Sequence, residues 1–151
     1  MKVDSIVAGP SMRGASDAPR PLRILVVDDN PDSADMLAMS LQLMGHDVRA
    51  LYDPLHVVAA ALDFHPDLAF LDVGMPVLNG FALAVQLRAQ QWPGNNRPRL
   101  VALTGWGQDE DRRRSEDAGF DDHLVKPADL DLIESVCLKV SAALHERESA
   151  S

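Results

Sequence analysis

The chain has 151 residues, 46% of them hydrophobic and 25% charged, a composition suited to one globular domain with a core of its own. Asp and Glu outnumber Lys and Arg by 23 to 14, and the net charge of −9 disfavours non-specific binding to nucleic acid or to an anionic membrane surface. A single cysteine, Cys137, excludes an internal disulfide, and no apolar run approaches the roughly 20 residues of a membrane span, so the expected location is the cytoplasm.

Residues 1–21 are rich in Gly, Pro, Ser and Ala without a usable period and read as a flexible tail, with the domain covering 22–147 and a short tail at 148–151. "RILVVDD" (23–29) is a short apolar strand ending in acids. "NPDSADMLAMSLQLMG" (30–45) carries both helix signals, Asn30 as N-cap before Pro31 and Gly45 as the stop, with Ala34, Leu37, Leu41 and Met44 on one face. "HDVRALY" (46–52) mixes polar and apolar residues as an edge strand does, and 53–64 predicts a second helix. "DLAFLD" (67–72) is a buried strand and 79–90 a third helix; Trp92, in the loop that follows, is a packing residue. "RLVALT" (99–104) is another buried strand, followed by a very polar helix over 108–119 without a large apolar anchor. "DHLVKP" (122–127) is the last strand, and a helix over 128–146 aligns Ile133, Val136, Val140 and Leu144, with Cys137 as a small core residue beside them. Met36, Met39 and Met44 read as core and interface filler.

Strands alternating with helices predict an α/β domain with a parallel sheet, and five βα units fit the flavodoxin-like doubly wound (βα)5 sandwich with strand order 2-1-3-4-5. In that order four strand ends line one crevice. They deliver Asp28 and Asp29, Asp72, Thr104, and Lys126 before Pro127. Acids at strand ends can simply cap helices, as Asp28 alone would. Three carboxylates gathered together, however, do not all stay ionised unless a cation joins them, and oxygen-only ligands on a partly open edge suit Mg²⁺. With a hydroxyl and an ammonium alongside, these are the parts that stabilise phosphoryl transfer, and Asp72 is placed to act as an acyl-phosphate-forming nucleophile.

The ordered pattern "VVDDN", "LDVGMPVLNG", "ALTGWG" and "GFDDHLVKP" resembles the receiver domain of two-component response regulators over about 22–147. The resemblance implies that Asp72 is the phosphoacceptor, that Asp29 binds Mg²⁺ directly with Asp28 acting mainly through water, and that the Gly74 carbonyl supplies a backbone ligand. It also implies that Thr104 is the switch hydroxyl, that Lys126 pairs with Asp72 and its phosphate, and that the Lys126–Pro127 bond is cis. His123 stands where the family usually has an aromatic switch residue. In receivers the two positions held here by Gly74 and Trp106, two residues beyond Asp72 and Thr104, flank the path by which water reaches the acyl phosphate, which implies that they help set its lifetime.

The implied activity is that of a stand-alone receiver, a phosphoacceptor with only self-phosphorylation and autodephosphorylation chemistry. It takes its phosphoryl group from a sensor histidine kinase or a histidine phosphotransfer protein. A downstream protein target would bind the face formed by the fourth helix, fifth strand and fifth helix. Two alternatives differ in class. A haloacid dehalogenase-like aspartyl-phosphate hydrolase would place its nucleophile first in an Asp-x-Asp after the first strand, a spacing that Asp28-Asp29 lacks. A pseudo-receiver, an interaction module that is never phosphorylated, would have no need of every site residue.

Overall fold

Each strand of the sheet alternates side chains between two hydrophobic layers, and that alternation decides which helices cover which face. The computed structural model describes residues 20–75, 78–105 and 109–150. Its elements in chain order are β1 (Arg23–Val27), α1 (Pro31–Leu43), β2 (Asp47–Leu51), α2 (Val57–Phe64), β3 (Leu68–Asp72), α3 (Gly80–Arg88), β4 (Arg99–Thr104), α4 (Asp109–Ala118), β5 (Asp122–Val125) and α5 (Leu130–Ala150). The five strands are all parallel, in the order β2-β1-β3-β4-β5, which is the flavodoxin-like arrangement expected. No helix among the described residues is long and apolar enough to cross a membrane.

Ile24, Val26, Leu68, Phe70, Val101, Leu103 and Leu124 point to one face, where they meet Ala34, Ala38 and Leu41 of α1 and Ile133, Val136, Cys137 and Val140 of α5. Leu25, Val27, Ala69, Leu71, Leu100 and Ala102 point to the other, against Val57 and Phe64 of α2, Leu83 and Leu87 of α3, and Ala118 at the end of α4. Both faces of β3 are therefore dry, which is why its sequence is apolar without alternation. Each large apolar side chain so buried contributes about 1.5–3 kcal/mol. The edge strand β2 buries Val48 and leaves Asp47 and Arg49 in water.

Several boundaries differ from those read in the sequence. The second helix is split, because Asp53 caps a short 3₁₀ turn over Pro54–His56 by accepting from the Leu55 amide, and the α-helix proper begins at Val57. The last helix starts at Leu130, where the Asp129 carboxylate accepts from the Asp131 amide, and it continues to Ala150, since no Gly or Pro stops it. Met36 and Met39 are not core, being 71% and 61% exposed; only Met44 packs against the interior. Trp92 does pack, buried with its indole N–H donating to the Leu87 carbonyl at 3.0 Å.

Gly45 ends α1 with φ +100°, a left-handed conformation that glycine takes freely. The turn aims His46 back at β1, and the Leu22 amide donates to its Nδ1 at 3.0 Å. Burial holds the His46 pKa below its ordinary 6.5. A depressed imidazole contributes stability that is complete above the unfolded pKa and is lost as pH falls through the lower folded value. Denaturant titrations at about pH 7.5 and about pH 5.5 should therefore show the wild type losing stability relative to His46→Gln, which takes up no proton. Parallel pH dependence of the two proteins would refute this role for His46.

Candidate functional site

The register of the sheet brings the predicted residues to one edge. Val27 lies opposite Leu71, Asp72 opposite Leu103, and Thr104 opposite Val125, so the residues that follow these pairs emerge side by side. Asp28, just past β1, is 2% exposed; its Oδ1 accepts from the Asn30 amide at 3.0 Å and its Oδ2 from Lys126 Nζ at 2.8 Å. Asn30 in turn caps α1, accepting from the amides of Asp32 and Ser33. Asp72 is 7% exposed; its Oδ1 accepts from the Gly74 amide at 3.0 Å and its Oδ2 lies 3.5 Å from Lys126 Nζ. The Lys126 amide donates to the Thr104 carbonyl, and the Lys126–Pro127 bond is cis, as expected. Asp29 is exposed, and one oxygen from each of Asp28, Asp29 and Asp72 falls within 4.8 Å of the others.

Burial is the main force raising the Asp72 pKa, and the neighbouring Asp28 charge adds to it against the opposing pull of the Gly74 amide and Lys126. Burial likewise acts to lower the Lys126 pKa, but its bond to Asp28 and the charges of Asp28 and Asp72 outweigh it, so the pKa is raised and the ammonium persists. Three carboxylates and one ammonium leave negative charge uncompensated. An oxygen-only donor set, crowded on the buried side and open at Asp29, fits a hard divalent cation such as Mg²⁺. The expected Gly74 lies in the same turn, where its amide, engaged with Asp72, is the group whose contact is defined.

Gly80 has a packing role not read from the sequence. A Cβ there would sit 2.6 Å from the Asp72 carbonyl oxygen and 2.8 Å from Val73 Cα, so the first turn of α3 can lie against the Asp72 backbone only with glycine at this position. Asn79 fixes that start by accepting from the Ala82 amide at 2.9 Å. The sequence signal that could have found it is the Asn79-Gly80 pair, seven and eight residues beyond the acid.

Thr104 and His123 occupy the other face of the sheet. Thr104 follows Leu103 and His123 precedes Leu124, both of which point toward α1 and α5, so alternation turns Thr104 and His123 toward α4. Thr104, 1% exposed, is paired through Oγ1 with His123 Nε2 at 2.8 Å, and among the described residues His123 Nδ1 is buried without a hydrogen-bond partner. The imidazole therefore does more than pack where an aromatic ring was expected. Trp106 and Pro76 lie outside the described residues. On the first face, the exposed Met36 borders an apolar groove of about 420 Å³ between α1 and α5, beside Lys126.

The model of the response regulator receiver domain matches residues 24–137. Among curated proteins, the DNA-binding dual master transcriptional regulator RpaA of Synechocystis is 32% identical over 126 residues, covering 83% of this chain and 50% of that protein. The transcriptional regulatory protein TcrA of Mycobacterium tuberculosis is 39% identical over 111 residues, covering 73% of this chain and 42% of that protein. The chain thus spans about half the length of the curated regulators it matches. Among solved structures, the receiver domain of the sensor histidine kinase PA1611 from Pseudomonas aeruginosa, with a magnesium ion coordinated in its active-site cleft, is 27% identical with a TM-score of 0.72, over 82% of this chain and 99% of that one. With this family match over most of its length and the acid-lysine cluster at the strand ends, the chain belongs to the response regulator receiver domain family.

Proposed function

We propose that this receiver accepts a phosphoryl group on Asp72 from a phosphohistidine of a sensor histidine kinase or a histidine phosphotransfer protein, and that it signals by altered binding to a downstream protein. The observation that carries the reading is the Asp72 carboxylate itself, buried, tethered through Oδ1 to the Gly74 amide and facing Lys126 through Oδ2. Asp28, Asp29, Asp72 and the main chain at Gly74 would hold Mg²⁺, which supplies charge neutralisation for the incoming phosphoryl group. An Asp72 oxygen attacks phosphorus as the phosphorus–nitrogen bond of the donor breaks, and Lys126 stays protonated beside the added negative charge. A dehalogenase-like hydrolase would place its nucleophile first in an Asp-x-Asp after β1, and the adjacent Asp28 and Asp29 lack that spacing. The apolar groove beside Lys126 offers a seat for the phosphodonor, and the face formed by α4, β5 and α5 offers one for the target. The absence of a membrane-length apolar helix among the described residues and the charge of −9 support a cytoplasmic partner-binding role without nucleic acid.

Incubation with acetyl phosphate and Mg²⁺ should add one phosphoryl group by intact mass, and Asp72→Ala or chelation of Mg²⁺ should abolish the addition. Undiminished labelling of Asp72→Ala would sink the assignment.

The Thr104–His123 pair sets a cost on switching. Thr104 Oγ1 must leave the imidazole before it can donate to a phosphoryl group on Asp72, and a hydrogen bond of this kind is worth about 1 kcal/mol. Thr104→Ala should accept phosphate yet lose most of the phosphorylation-induced change in its NMR spectrum. His123→Phe keeps a ring but removes this bond, so half-maximal change should need roughly fivefold less beryllofluoride. An unaltered midpoint in His123→Phe would show that the bond does not restrain Thr104.

Gly74 offers no side chain to orient water, and Trp106 can donate through its indole but cannot act as a general base. Phosphate loss from Asp72 is accordingly expected to be slow, and the variant combining Gly74→Asn with Trp106→Glu should lose phosphate faster. Equal rates in the two proteins would count against this control of lifetime.

A further inference from the structure

At the opposite ends of the strands from Asp72, a cavity of about 730 Å³ lies between the segment joining α3 to β4 and the last turns of α5. Arg88, Arg97, Arg99 and Arg147 all line it. This concentration is unexpected in a chain of charge −9. Arg97 is neutralised by Asp121, to which it donates at 3.0 and 2.9 Å. Neither Arg88 nor Arg147 forms an ion pair with a carboxylate among the described residues. Arg88 donates to the Gly119 carbonyl and Arg147 to the Asn96 side-chain oxygen, while the Arg99 amide donates to the Asp67 carbonyl and its guanidinium charge acts on the Asp121 carboxylate. Asp67 is the one carboxylate in the lining, and it already accepts from the Arg23 amide at 2.8 Å. Three cations against one carboxylate leave the cavity about two charges positive.

The walls are fixed in place. Buried Trp92 ties its loop to α3 through the Leu87 carbonyl, and the amides of Asn95 and Asn96 donate back to the carbonyls of Trp92 and Pro93. The side chains of Asn95 and Asn96 face the same space as the arginines. The volume lies within the range of small-molecule pockets, about 300–1,000 Å³. Guanidinium groups match phosphate oxygens in fork geometry.

From these observations we infer that the foot of the sheet is a second ligand site, for a small organic phosphomonoester whose two negative charges meet Arg88, Arg99 and Arg147 and whose polar groups meet Asn95 and Asn96. The site stands apart from the phosphoacceptor: Arg99 opens β4 and Thr104 closes it, about 17 Å further along the strand. The inference does not rest on phosphorylation of Asp72.

Isothermal titration of the full chain with adenosine 5′-monophosphate and with ribose 5-phosphate, in low-salt buffer without Mg²⁺, tests it. At least one phosphomonoester should bind with one-to-one stoichiometry. The variant combining Arg99→Gln and Arg147→Gln, both exposed positions, should bind at least about tenfold more weakly, while Asp72→Ala should bind as the wild type does. Inorganic phosphate and succinate serve as the competing probes. Tighter binding of succinate than of either phosphomonoester would overturn the phosphate assignment. No heat from any probe, equal binding by the arginine variant, or loss of binding in Asp72→Ala would overturn the site.

Discussion

Lys126 Nζ lies 2.8 Å from Asp28 and 3.5 Å from Asp72, and much of the molecule is arranged to make that three-way contact possible. Two carboxylates that are nearly inaccessible to water repel each other at close range. Without the ammonium between them, their ionisation would cost the fold several kcal/mol. Lysine reaches both because β5 ends one strand beyond β4, and Lys126 turns back from Val125 across the strand ends. Three carboxylates against one ammonium leave the compensation incomplete. That residue of unbalanced negative charge is what suits the cluster to a divalent cation.

The sheet sorts the residues at its strand ends into two groups by alternation alone. Asp28, Asp72 and Lys126 fall on the side that meets α1 and α5, while Thr104 and His123 fall on the side that meets α4. Among its described residues, α4 buries Ser115 and Ala118 and sets the Arg114 guanidinium 4.3 Å from the Phe81 ring centroid. The Thr104–His123 bond lies on the face of the sheet that α4 covers.

The net charge conceals an ordered distribution. Carboxylates gather at the carboxyl ends of β1 and β3, and arginines at the opposite foot beside the start of β4. Strands β3 and β4 run between the two regions, buried along nearly their whole length and packed on both faces. A ligand at the foot would therefore touch the same two strands that carry Asp72 and Thr104.

The alternation of strands and helices, the order of the strands and the five residues at their ends were all legible in the sequence, because each depends on a local period or on a residue's distance from a strand end. "LAFLD" reads as doubly buried by its composition, and Asn30-Pro31 reads as a helix start by its capping chemistry. Three features were decided only by tertiary structure. Gly80 is required by the approach of α3 to the Asp72 backbone, a distance that no local pattern encodes. His123 meets Thr104 because β4 and β5 pair in one particular register, and a slip of one residue would turn either side chain to the opposite face. Arg88, Arg99 and Arg147 belong to three separate elements and share a cavity only once α5 folds back along the sheet. Periodicity reports which way a side chain points; the partner it meets is set by packing between segments far apart in the chain.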